Sequence, residues 1–340
     1  MSSGAILVTG GAGYVGAHAC KALRRAGLTP VVFDNLSTGH RSFVRWGPLV
    51  QGDIRDYAAI LDAIRSCEAE AVLHFAASAY VGESVTDPQK YYENNVAGSL
   101  SLLRAMSEAD CQKLVFSSTC AIYGEPRGLP IDEKAELDPV NPYGASKFMV
   151  ERILSDYACA YPLQSIALRY FNASGADPEG ELGELRDPET HLIPRAMMAI
   201  QGHVTNFAVF GTDYHTPDGT PIRDYVHVSD LAQAHVLALR HLLAGGSGGA
   251  FNLGTGQGHS VKQVLDAIAA RTDAHLEATP AARRQGDPPV LVADATLSKT
   301  ALGFTPLLSD LETIVKTAWD WHRRAHPKRP TSTPRKMHCL

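Results

Sequence analysis

A continuous apolar and β-branched run, Ala5-Ile6-Leu7-Val8-Thr9, leads directly into Gly10-Gly11-Ala12-Gly13-Tyr14-Val15-Gly16. Such a run suits a strand buried on both faces, and glycines at 10, 13 and 16 mark the tight turn into a helix. Val15, Ala19, Leu23 and Ala26 recur at helical spacing over Gly13 to Ala26, Gly27 supplies a stop, and Val31 to Phe33 resumes a strand ending in Asp34. The chain therefore opens with a βαβ unit.

The glycine turn has a chemical reading. A nucleotide pyrophosphate needs close backbone approach and unpaired amides at a helix N-terminus, and glycine permits both. Asp34 is placed to accept hydrogen bonds from an adenosine ribose, which points to NAD rather than to a 2′-phosphorylated dinucleotide. Asn35 can assist it. Asp53-Ile54, after the next strand, suits the neighbourhood of adenine, with Asp53 facing an exocyclic amine, although Asp53 reads equally as a surface-loop residue.

Strands and helices keep alternating: strand Leu49 to Gln51, helix Tyr57 to Arg65, strand Ala71 to Phe75, helix Tyr91 to Glu108, strand Leu114 to Ser117, helix Tyr143 to Ala158 and strand Ser165 to Leu168. Alternation without hairpins predicts an α/β fold, a Rossmann-type doubly wound parallel sheet with helices on both faces. After Phe171 the texture changes, with polar glycine-rich loops at Gly175 to Asp187 and Asp213 to Thr220. Helices over Leu192 to Ile200, Val228 to Leu243, Val261 to Ala270 and Leu311 to Arg323, with strands at Phe207 to Phe210 and Ala250 to Leu253, give a smaller mixed α/β region. The 340 residues thus divide into an NAD-binding domain over 1–175, with later segments around 225–255 returning to its sheet, and a mainly substrate-binding domain over 176–323. The basic, proline-rich stretch 324–340 reads as a disordered tail.

Composition narrows the partners. With 31 Lys+Arg against 36 Asp+Glu, the formal net charge is −5, so the whole molecule has no electrostatic reason to attract nucleic acid or an anionic membrane. No run approaches the ~20 apolar residues of a membrane span, and Met1-Ser2-Ser3-Gly4 lacks a basic leader. Six cysteines, at 20, 67, 111, 120, 159 and 339, form no CxxC pair, which disfavours a structural zinc site or a secreted disulfide framework. These features predict a cytoplasmic protein without a metal.

Tyr143 and Lys147 stand four apart, on one helical face, where an ammonium would lower the phenol towards a useful pKa. Thr119, in Ser117-Ser118-Thr119 at the end of a buried strand, adds a hydroxyl that could steer a substrate alcohol. Beside NAD, a phenolate is a coherent general base for hydride transfer from an alcohol.

Gly10 to Gly16, Thr119, Tyr143 to Lys147 and Arg169 to Asn172 together resemble the extended short-chain dehydrogenase/reductase superfamily, and within it the UDP-glucose 4-epimerase family. The resemblance spans nearly the whole chain, through His74-Phe75-Ala76-Ala77, Val81-Gly82-Glu83-Ser84, Asn94-Asn95-Val96, Phe210 to Tyr214, Asp218-Gly219-Thr220 and Arg223 to Val228. It implies retained NAD, UDP-sugar substrates, a homodimer, and interconversion of UDP-glucose and UDP-galactose by transient oxidation at C4. Tyr143 would remove the C4 hydroxyl proton, Lys147 would orient the nicotinamide ribose and depress Tyr143, and Thr119, often serine in the family, would bond the reacting oxygen. Phe75, Ala76, Ala77, Asn94 and Tyr170 join the cofactor set by the same resemblance. Asn172, His191, Leu192, Arg223, Arg284 and Asp287 would surround the UDP-sugar. Arginine offers fixed donors to phosphate, though by themselves Arg223 and Asp287 read as a surface ion pair.

Two positions depart from the family pattern. Ser78-Ala79-Tyr80 stands where some members carry a lysine near the nicotinamide side, and Leu291 occupies the position of a sugar-pocket size gate. Epimerases of UDP-xylose/UDP-arabinose or UDP-N-acetylhexosamines share the same cradle, and a non-catalytic NAD-binding regulator would share the fold. A dehydratase would need an Asp-Glu pair after Thr119, where this chain has Cys120-Ala121.

Overall fold

The computed structural model describes residues 4–274, 276–284 and 286–326. Its strands are β1 Ala5–Thr9, β2 Thr29–Asp34, β3 Leu49–Gln51, β4 Ala69–His74, β5 Lys113–Thr119, β6 Gln164–Tyr170, β7 Asn172–Ser174, β8 Ala208–Phe210, β9 Ile222–His227, β10 Gly249–Leu253, β11 Gly258–Ser260, β12 Thr279–Ala281 and β13 Val290–Leu291. The helices are α1 Tyr14–Arg25, α2 Tyr57–Ser66, α3 Val81–Thr86, α4 Pro88–Tyr91, α5 Gly98–Glu108, α6 Pro142–Ala160, α7 Leu192–Ile200, α8 Val228–Leu243, α9 Val261–Thr272, α10 Thr296–Leu302 and α11 Leu311–Ala325.

Seven strands form one parallel sheet in the order β10-β6-β5-β4-β1-β2-β3. The strand order reverses between β1 and β4, which opens a crevice beyond their carboxyl ends. Alternate residues feed two cores. Ile6, Val8, Val32, Leu73 and Val115 pack with Ala19 and Leu23 of α1 and Leu231 and Leu239 of α8, whereas Leu7, Phe33, Val72, Leu114 and Phe116 pack with α2, α5 and α6. Burial on both faces is why these strands are apolar throughout.

The late segment returns to this sheet as α8 against α1 and as the edge strand β10. By contrast β9, which ends inside the same stretch, lies in a second sheet of order β11-β9-β13, where β7 also pairs with β9. α7, α9 and α11 enclose a separate core around Met197, Val264 and Ile314. Lys21 of α1 joins the two parts: its buried ammonium lies 2.7 Å from Asp177 and from Glu181 and 3.0 Å from Glu179, all in the loop after β7.

One long helix was expected over Tyr91 to Glu108; the structure instead inserts a π-helical stretch, Tyr92–Ala97, between α4 and α5. The wider turn buries Asn95, whose amide donates to Ser78 O and Ser146 Oγ, each at 3.0 Å. These two bonds tie the stretch to the loop after β4 and to α6, a packing reason that periodicity does not carry. Residues 327–340 of the expected tail, and Cys339, lie outside the described residues; the expected tail's first residues, 324 and 325, are the end of α11.

Candidate active site

Gly10 adopts φ +73°, and a Cβ there would stand 2.5 Å from Ala76 N. One at Gly16 would overlap Gly10 O. The close approach of β1, β4 and α1 therefore requires glycine at both positions. Gly13 caps α1 with no side-chain bond and no acid in the first turn, and among the described residues a Cβ there would meet Gly10 O, at 3.3 Å, and nothing else. The amides at this helix start remain for an anion, so the turn fits a dinucleotide diphosphate.

A cleft of about 670 Å³ follows the carboxyl edge of the sheet. From the β2 side it is lined by Asp34, Asn35 and Ile54, then by Gly10, Gly13, Tyr14, Val15 and Gly16, then by Phe75, Ala76, Ala77 and Asn94, and it reaches Ser117 and Tyr170. Asp34 is buried and accepts from Ala12 N at 3.0 Å and Leu36 N at 2.8 Å. Burial raises its pKa and those amides oppose the rise. Asp53 is not in the cleft wall. Both its oxygens are engaged by Arg55 at 2.8 Å, and Asn35 bonds one of them at 3.1 Å, so its carboxylate is held well below the usual range and is committed to protein partners.

Tyr143, Lys147 and Thr119 lie just beyond Ser117 and Tyr170. The Asn141 side chain caps α6 by accepting from Gly144 N at 2.9 Å, Pro142 starts the helix, and Gly144 packs so tightly on Ala121 O that a Cβ would come within 2.6 Å. This fixes the first turn of α6 against the end of β5. Tyr143 is buried, edge-on to Tyr91 with ring centroids 6.4 Å apart, and the Thr119 hydroxyl, which accepts from Ala121 N at 3.1 Å, favours its phenolate. Tyr170 OH is 2.9 Å from Ser117 Oγ.

Lys147 is close to Tyr143 along the helix but is not among the leading groups that set the Tyr143 pKa. Its Nζ donates to Ser117 O at 2.8 Å and sits 4.7 Å from the Phe116 ring centroid. Burial brings its own pKa down to about 7, against the pull of Glu151. Burial leaves Tyr143 well above the usual tyrosine value, and Thr119, by its hydroxyl, and Arg186, by charge, favour its phenolate. Behind Lys147, Arg169 bonds both oxygens of Glu151, with Nη2 at 2.6 Å, in a buried pair.

On the second sheet, Arg223 is buried and ion-paired with Asp287, while Leu291 lies in register with Arg223 and Asn172 with Tyr225. Arg284 is exposed and stacks on the Phe210 ring at 4.4 Å, while its carbonyl accepts from Asp287 N at 3.2 Å. His191 precedes Leu192, the first residue of α7, with Nδ1 2.7 Å from Glu184.

The sequence pattern of the NAD dependent epimerase/dehydratase family matches residues 6–254. The chain belongs to that family. A UDP-glucose 4-epimerase of Rhizobium leguminosarum bv. trifolii is 50% identical over 326 residues, which are 96% of this chain and 99% of that one. Among solved structures of the same epimerases, that from Brucella ovis in complex with NAD is 54% identical, covers 94% of this chain and 98% of its own, and has a TM-score of 0.92. The enzyme from Stenotrophomonas maltophila, with bound NAD and formylated UDP-arabinopyranose, is 40% identical with a TM-score of 0.91, covering 94% and 98%. Within this family's cleft, sequence reasoning missed Tyr80, Leu185 and Arg186. The last two come from the glycine-rich loop after β7, and no periodicity marks which side chain of such a loop turns inward.

Proposed function

We infer that this protein interconverts UDP-glucose and UDP-galactose by reversible, NAD-dependent oxidation at C4. The observation that carries the reading is the buried set Tyr143, Lys147 and Thr119, which Lys147 ties to the dinucleotide cleft through its bond to O of Ser117 in the cleft wall. When bound, NAD accepts and returns hydride. The chain's own residues do the rest. Tyr143 takes the C4 hydroxyl proton as general base and gives it back, Thr119 bonds the reacting oxygen, and Lys147, anchored on Ser117 O, orients the ribose beside them. Asp34 holds the adenosine ribose. Gly10, Gly13 and Gly16 admit the diphosphate, with Tyr14 and Val15 in the same wall and Asn35, Ile54, Phe75, Ala76, Ala77, Asn94 and Tyr170 completing it.

The UDP-sugar is assigned to Asn172, His191, Leu192, Arg223, Arg284 and Asp287. Residues 1–175 with the returning α8 and β10 form the cofactor part, and the remainder up to 323 mainly the substrate part. A homodimer in the cytoplasm belongs to the same reading. Among the described residues no helix is long and apolar enough to cross a membrane. The test incubates the purified protein with UDP-glucose, UDP-galactose, UDP-xylose and UDP-N-acetylglucosamine and separates the C4 epimers. UDP-glucose and UDP-galactose should reach one equilibrium from either side without net consumption of NAD. Failure to interconvert them by folded, NAD-loaded protein refutes the reading, and turnover of only the pentose or N-acetyl pair reassigns the substrate around Leu291.

A further inference from the structure

A dinucleotide brings a doubly negative diphosphate to the Gly10–Gly16 turn, which offers backbone amides but no cation. The lysines and arginines lining the cleft, among the described residues, are Arg55, Lys90 and Arg186. The first two sit on its rim, with side chains 54% and 47% exposed, and each is paired with a neighbouring carboxylate, Arg55 with Asp53 at 2.8 Å and Lys90 with Glu83 at 2.7 Å. Arg186 is inside, with its side chain 20% exposed.

Its position is built rather than incidental. Leu182 is buried with Ala17 of α1 and Phe43. Trp321 Nε1 donates to Glu184 O at 2.9 Å, and His40 Nε2 lies 2.8 Å from Leu185 O. The two residues before Arg186 are thus pinned. The guanidinium then lies over the Tyr80 ring at 5.4 Å, and Nε contacts Glu184 at 2.8 Å, a carboxylate shared with His191 at 2.7 Å. A planar fork held through Nε and one face still presents terminal N–H groups in the geometry that matches phosphate oxygens.

We propose that Arg186 is a diphosphate-binding residue of the cleft, closing over the dinucleotide's diphosphate from the side opposite the Gly10–Gly16 amides. The proposal rests on the NAD-dependent reading above. It places the cation that Ser78-Ala79-Tyr80 does not provide on a different segment of the chain, stacked on Tyr80.

The test uses full-length holoenzyme. Wild type, Arg186→Gln and Arg186→Lys are purified with NAD bound, and the release of NAD is followed by dilution and chase at two ionic strengths, alongside UDP binding to each NAD-loaded protein. Loss of a charge-assisted contact should speed NAD release about ten- to hundredfold in the Gln variant. The Lys variant should be intermediate, and release from the Gln variant should respond less to salt, which a merely structural defect would not produce. Unchanged release overturns the proposal. So does weakened UDP binding with unchanged NAD release, which would give Arg186 to the sugar nucleotide instead. A wild type that holds no NAD would refute the underlying reading, not the role of Arg186.

Discussion

Lys147→Met should make the cofactor-stripped protein more stable at neutral pH while removing its turnover. The lysine is 3% exposed, and burial brings its amine from 10.5 to about 7. That difference corresponds to a folding cost on the order of 5 kcal/mol when both folded and unfolded chains carry the proton, from ~1.4 kcal/mol per pH unit. Methionine has similar length and no charge. It removes that cost but leaves Ser117 O without its donor, a loss of ~1–3 kcal/mol. A net gain of ~2–4 kcal/mol follows at pH 7 and below. Between about 7 and 10.5 the unfolded chain still binds the proton that the folded chain has released, so wild-type stability rises with pH. The variant's advantage shrinks across that window and reverses near its upper end, where only the lost hydrogen bond remains. Denaturant titrations of both proteins from pH 6.5 to 10 measure this directly. A variant less stable than wild type by a constant amount at every pH would refute the reasoning. The expected trade of stability for activity is the signature of a group buried for function.

Tyr143→Phe keeps the ring packed against Tyr91 and deletes the proton acceptor, so turnover should fall by ~10²–10⁴ while NAD stays bound; a rate assay with NAD content measured in parallel decides it, and near wild-type turnover would exclude Tyr143 as the base. Gly16→Ala places a methyl on Gly10 O, which must push α1 away from β1. The purified variant should contain little or no NAD by absorbance, and full NAD content would show that the turn yields at small cost.

Legibility from the sequence followed burial. Strands β1, β4 and β5 are covered on both faces, so Ile6-Leu7-Val8, Ala71-Val72-Leu73 and Leu114-Val115-Phe116 are uninterrupted apolar runs and were readable as strands. β7, β11, β12 and β13 have two or three residues each, too few for any period, and β9 is broken by the buried charges of Arg223 and Asp224. Asp224 is satisfied there by Thr255 N, Gly256 N and Ala293 N, contacts made from far along the chain. The Tyr143–Lys147 spacing was visible because a helix turn sets it. The direction in which Lys147 reaches was not, because Ser117 O belongs to a strand some thirty residues earlier. Arg186 was hidden for the same reason: Trp321 and His40, which hold the carbonyls of Glu184 and Leu185 and so aim its loop, lie far from it in the chain.

The central claim is that hydride leaves C4 and returns to C4 within one closed site. UDP-glucose carrying deuterium at C4 tests it most directly, with the UDP-galactose formed in ordinary water examined by mass spectrometry and NMR. Retention of deuterium at C4 of the product, with no net change in NAD, is the predicted result. Product carrying hydrogen from solvent at C4 would contradict it, because the C4 hydrogen would then have left as a proton and Tyr143 would not be serving a hydride transfer.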